Sequence, residues 1–254
     1  MNCARILESL ANGEELSAEA KLHVASCKGC AELLASFDRS REAVSQERLR
    51  AIESSIHERM RPVKPLPSNA ALIAMFLATV ALTCAIAGGL IGIHGFRNMT
   101  AVERWLYLGA AGISALLLSF AMAREMIPAS GIRFTGAGVV ILSLALPVFS
   151  TIALFPATHT EPFVTLGVHC FQAGFVAALL SAILLWILIR RGFFTSPLDA
   201  GMTGGALAGC AGFIVLAFHC ANFDALHILA WHLGPMVTAI GIGCIVGYVS
   251  ASRV

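Results

Sequence analysis

Six apolar stretches, each about 20 residues long, decide what this chain folds into. They lie near Ala70–Ile93, Trp105–Ala123, Gly136–Pro156, Phe171–Ile189, Ala200–Phe218 and Ala230–Ser250. A helix of that length crosses the hydrocarbon core of a bilayer. The competing explanation, a large soluble helical core, fails because none of the runs carries a polar face. Only 13% of the 254 residues are charged, against about 25% in a typical globular chain. The shortfall lies after Asn69, so residues 1–60 read as a soluble head. The expected fold class is all-α: a small helical head over 1–60, a linker over 61–69, and a six-helix transmembrane bundle over 70–254.

Arginine and lysine placement sets the expected orientation, because cytoplasmic loops carry an excess of both. One set of loops carries Arg59, Arg61 and Lys64, then Arg124 and Arg133, then Arg190 and Arg191, and finally Arg253. The opposite set carries only Arg97 and Arg104, both before the second span. The first set is therefore expected in the cytoplasm, and six spans return both termini there. Glu8, Glu14 and Glu15 precede any apolar run, so no secretory signal is expected at the start. Pro62, Pro65 and Pro67 lack the amide donor and disfavour helix before them, which makes 61–69 an extended spacer. The net charge of +2 is too small to argue for direct contact with nucleic acid.

The head holds a His-x3-Cys-x2-Cys run, His23, Cys27 and Cys30, with Cys3 upstream. Cys3, Ile6, Leu7 and Leu10 have helical spacing, and Asn12-Gly13 is a stop signal. Ser17 then N-caps a second helix, with Glu19 in its first turn. A third segment follows Cys27 and Cys30 through Leu33, Leu34 and Phe37. From Arg39 to Met60 a long polar helix is expected, marked only by Ala43, Val44, Leu49, Ile52 and Ile56, so it should dock on something. About 30 residues of short helices bury too little area to fold unaided. Zn2+ held by Cys3, His23, Cys27 and Cys30 would staple them in the closed Cys3His set of structural sites, with no open position for hydrolysis. The plainer alternative is one reduced thiol packed in a helix core, the other residues being coincidental.

The remaining cysteines divide by position. Cys84, Cys210 and Cys244 fall inside spans and are expected to be small apolar fillers. Cys170 opens the fourth span and Cys220 closes the fifth, which places both at the external face, each preceded by a histidine, His169 and His219. An adjacent imidazolium would raise thiol reactivity. Three readings stay open: a redox sensor, a fixed disulfide or inert pair, and a metal-sensing cluster with His159, His227, His232 and Asp224 in the same region. A haem between His169 and His219 is a lesser option, since no haem-attachment motif is present. Glycines recur four apart, at Gly88 and Gly92, at Gly201, Gly205 and Gly209, and at Gly243 and Gly247. These read as helix-packing seams, and they leave the oligomeric state open.

Two family resemblances attach to these residues. Cys3, followed by His23-x3-Cys27-x2-Cys30, resembles the zinc-binding anti-sigma domain over about residues 1–60. That resemblance implies three short helices around zinc and a fourth, here Arg39–Met60, that clamps an extracytoplasmic-function sigma factor. Arg190-Arg191-Gly192, Gly204-Gly205-Ala206-Leu207-Ala208-Gly209, Phe218-His219-Cys220, Ala230-Trp231-His232 and the glycine-rich sixth span resemble the NrsF family. That family implies six spans in the bacterial inner membrane, negative control of a sigma factor, and two periplasmic cysteines matched by Cys170 and Cys220. Its members have a short N-terminal tail where this chain has the Cys/His head.

Taken together, the expected function is a membrane-bound anti-sigma factor that releases its partner on a redox or thiol-reactive signal at Cys170 and Cys220. A membrane redox, metal-sensing or transport protein with a regulatory zinc head is the alternative. Transporters place ionisable residues near the midplane, and these spans are almost free of them. No Ser-His-Asp order, phosphate loop or paired intramembrane carboxylates support an enzyme.

Overall fold

The computed structural model describes residues 3, 6, 9, 16–42, 46–59, 67–126, 136–158, 162–190, 192, 194 and 196–251. The expected stop at Asn12-Gly13, most of the linker from Arg61 to Leu66, Arg133, Arg191, Arg253 and His159 lie outside them. Every regular element among the described residues is helical. The chain divides into two compact units, Met1–Lys64 and Pro65–Val254.

In the first unit, Cys3, Ile6 and Ser9 are helical. Three helices follow: α1 (Ala18–Ser26), α2 (Lys28–Glu42) and α3 (Gln46–Arg59). The Ser17 hydroxyl caps α1 by accepting from the Ala20 amide at 3.2 Å, and Glu19 complements the helix dipole. Ile6, Ala20 and Cys30 form a minimal core, with Leu16, Val24 and Cys27 packed on it. Of the arm expected as one helix from Arg39 to Met60, residues 39–42 fall in α2 and 46–59 in α3, while Ala43, Val44, Ser45 and Met60 lie outside the described residues. Within α3, Leu49, Ile52 and Ile56 recur at helical spacing, and each is about half exposed.

The second unit contains six helices long and apolar enough to cross a membrane: α4 (Asn69–Ile91), α5 (Ala101–Glu125), α6 (Gly136–Leu154), α7 (Phe163–Ile189), α8 (Pro197–His219) and α9 (Ala225–Ala251). A helical turn, His94–Asn98, sits between α4 and α5. Large apolar side chains such as Leu90, Phe149, Ile141 and Val176 point outward. In water such a surface would drive aggregation; in lipid it is the ordinary exterior.

The bundle is built around α8: 72% of an 18-residue apolar stretch of it is buried, against 22% of such a stretch in α4. It is rich in glycine and alanine, because a central helix in lipid gains from close backbone approach. A side chain at Gly201 would run into the Gly243 carbonyl, and one at Gly243 into the Gly201 carbonyl. The backbones of α8 and α9 therefore touch directly. The expected packing seams in the fifth and sixth spans are these.

One difference from the expected spans bears on function. The fourth helix starts at Phe163, eight residues before the expected Phe171, so Cys170 lies about two turns inside α7 rather than at its start. Val164, Leu166 and Val168 extend the apolar exterior, and Gly167 packs against the Trp231 indole, which anchors the added turns.

Candidate metal and thiol sites

The head cluster is assembled by a break between two helices. Cys27 ends α1 in an extended conformation, and its amide still donates to the His23 carbonyl at 2.9 Å. Helix α2 starts at the next residue, so Cys30 falls in its first turn and is buried. The chain therefore redirects between His23 and Cys30, and both meet Cys3 from the preceding helical segment. Cys3 Sγ lies 3.5 Å from His23 Nε2. The donor atoms of Cys3, His23, Cys27 and Cys30 all lie within 4.8 Å of one another. Hydrogen bonds from the Cys30 amide and then its thiol hold the Cys27 thiol below the ordinary range. The hydrogen bond with Cys3, followed by burial, pushes Cys30 up to about 12. Three sulfurs and one imidazole converging at this spacing suit a closed zinc site.

The second constellation joins three helices at one end of the bundle. Cys170 comes from α7, Cys220 caps the end of α8, and His227 and His232 come from the first turns of α9. The Cys170 thiol donates to Cys220 Sγ at 3.5 Å, and Cys220 Sγ lies 3.6 Å from His227 Nε2. The His227 and His232 rings meet edge to face at 5.3 Å. All four donor atoms fall within 4.8 Å of one another. Between the two histidines α9 winds as a π-helix, Ile228–His232. That winding, with its i→i+5 bonding, lets residues five apart address one site.

Asp224 fixes the approach to α9. Its carboxylate accepts from the His227 amide at 3.1 Å, the Thr158 amide at 2.6 Å and the Thr158 hydroxyl at 2.7 Å. The Ala225 amide donates to the Pro156 carbonyl at 2.9 Å, a second tie between these two connections. The hydrogen bond from Cys170, then the contact with His227 and the charge effect of the nearby His232 ring, holds the Cys220 thiol well below the ordinary thiol range.

His169 and His219, the histidines adjacent in sequence to these cysteines, are not in the cluster. His169 is exposed and its ring donates to the Thr165 carbonyl at 2.7 Å. His219 sits edge-on to His94, with ring centroids 6.1 Å apart. One step along an α-helix turns a side chain by about 100°, so a neighbour in sequence faces elsewhere.

The family model for NrsF, negative regulator of sigma F, matches residues 57–250. The match begins within α3, takes in all six apolar helices, and contains Cys170, Cys220, His227 and His232; the Cys3–Cys30 cluster precedes it. Neither the curated proteins nor the solved structures contain a match to the chain.

Proposed function

The chain belongs to the NrsF family of negative regulators of sigma F, and from that premise we propose a membrane-bound anti-sigma factor with its own sigma-binding head. The match across all six spans carries this reading. In it, residues 1–60 hold an extracytoplasmic-function sigma factor in the cytoplasm, 61–69 is the tether, and 70–254 is the membrane domain. Both termini are cytoplasmic, and the membrane is the bacterial inner membrane. The arginine asymmetry supports that orientation.

Helix α3 is the proposed clamp. Its half-exposed Leu49, Ile52 and Ile56 form the i, i+3, i+7 stripe by which an amphipathic helix anchors to a partner groove. Cys3, His23, Cys27 and Cys30 would hold Zn2+, which supplies folding energy to a core too small to stand alone. Cys170 and Cys220 receive the periplasmic signal. Oxidation or adduct formation there changes the relative free energy of two bundle arrangements, and the head loosens its hold.

Co-purification from cells tests the reading. The full chain should retain the sigma factor encoded beside it, and exposure to a thiol oxidant should release that factor. Retention of no sigma factor sinks the anti-sigma role. Unchanged release in Cys170→Ser and Cys220→Ser variants removes the thiol pair from the signal path.

A further inference from the structure

We propose that Cys170, Cys220, His227 and His232 form a closed Cys2His2 site for a thiophilic divalent ion of the zinc–cadmium class. Four features point there. The first is spacing. With metal–sulfur and metal–nitrogen bonds of about 2.3 and 2.0 Å, tetrahedral ligands stand about 3.8 Å apart sulfur to sulfur and about 3.5 Å sulfur to nitrogen. Cys170 and Cys220 Sγ are 3.5 Å apart, and Cys220 Sγ is 3.6 Å from His227 Nε2.

The second is unsatisfied nitrogen. His227 and His232 are 0% and 2% exposed, and both ring nitrogens of His232 lack a partner at hydrogen-bonding geometry, as does Nδ1 of His227. Burying a polar nitrogen without a partner is costly, most of all at His232, where neither ring nitrogen has one. A metal ion accepts a lone pair from one of the two His232 nitrogens, and from Nε2 of His227, the nitrogen that faces Cys220 Sγ.

The third is charge. Binding a divalent ion displaces the two thiol protons to solvent, and two thiolates then balance the two positive charges. A neutral assembly suits a site enclosed by three apolar helices, where a net charge would be costly. The fourth is ligand softness: two thiolates with two imidazoles favour zinc or cadmium over the oxygen-seeking magnesium and calcium.

The ion would tie α7, α8 and α9 together at the end where the thiol pair sits. On the anti-sigma reading, from which this consequence follows, metal occupancy becomes an input to sigma retention. A bound ion also withholds both sulfurs from electrophiles.

The test uses Cd2+ and the full chain in detergent with no sigma factor present, so its failure is distinct from failure of the anti-sigma reading. A Cys27→Ser/Cys30→Ser background disables the head cluster and isolates the outer site. That background should bind one equivalent of Cd2+ with a thiolate-to-cadmium charge-transfer band. Adding His232→Gln should weaken binding by more than the 10–100-fold, roughly, that loss of a supporting contact brings, and His227→Gln should do the same. A second arm needs no variant. In the wild-type chain Cd2+ should suppress alkylation of Cys170 and Cys220, read cysteine by cysteine by mass spectrometry. Absence of Cd2+ binding in the background, indifference of binding to both histidine variants, or unchanged alkylation of Cys170 and Cys220 would each overturn the site.

Discussion

Pro147 lies inside α6, so the Ser143 carbonyl has no amide to accept from one turn on. In lipid no water fills that place. The Ser114 hydroxyl of α5 does so instead, donating to Ser143 O at 3.0 Å while also reaching Ala110 O. Ser114→Ala should therefore destabilise the bundle by about 1 kcal/mol, within the range of interhelical hydrogen bonds in membrane proteins. In a Pro147→Ala background the same change should cost less, because the backbone ladder is restored. Reversible unfolding in mixed detergent micelles measures both, and an equal penalty in the two backgrounds rules out the coupling. The cluster around Cys170 and Cys220 is another residue-scale matter, and there sequence reading fell short. Cys170 and Cys220 stood out as a pair at one level, and they do meet. Their dipeptide neighbours His169 and His219 looked like the natural partners and are not. His227 and His232 were visible only as members of a general gathering. Five residues apart, they share no face of an α-helix; the π turn aligns them, and no residue pattern announces a π turn.

At the scale of elements, the head depends on one turn and one exposed stripe. Loss of the proposed zinc should be local: in the full chain, Cys27→Ser/Cys30→Ser should lower bound zinc by one equivalent and make residues 1–60 quickly digestible by protease. Equal zinc content in variant and wild type counts against the head site. On α3, Ile52→Lys should weaken sigma retention by about 2 kcal/mol or more, roughly 30-fold, if the stripe is the anchor. The helix should keep its fold, since Ile52 is half exposed. Undiminished retention would move the clamp elsewhere. Between α8 and α9 a built-in control exists. Gly201→Leu drives a side chain into the Gly243 carbonyl, whereas Gly241 has nothing within 4 Å. The first change should lose about 2 kcal/mol or more and the second less than about 0.5 kcal/mol. The glycine spacing made this seam legible. The central place of α8 was not, because its mean hydropathy of 1.7 is below the 2.4 of α4. Lipid is as apolar as a protein core, so hydropathy marks the span and small residues mark the centre.

For the whole molecule, hydropathy was enough to give an all-α chain with six membrane-length helices, because a bilayer demands long, continuous apolar runs. Span ends were less legible where polar residues interrupt such a run, as His169-Cys170 does in α7. Orientation rests on a different asymmetry, that of Arg and Lys between the two sets of loops. It gives a test that does not involve metal or partner. Asn98, in the turn between α4 and α5, and Pro67, just before α4, are both exposed and lie at opposite ends of the first span. Each is replaced separately by cysteine in intact cells and treated with a membrane-impermeant maleimide. Labelling is read on the peptide that carries the new residue, so native thiols do not interfere. Asn98→Cys should label in intact cells, and Pro67→Cys only after the membrane is permeabilised. The reverse pattern would put the Cys3–Cys30 head outside, where no sigma factor exists, and the thiol pair in the reducing cytoplasm. The proposed clamp and the proposed signal would then fail together, because both depend on which side of the bilayer each end of α4 faces.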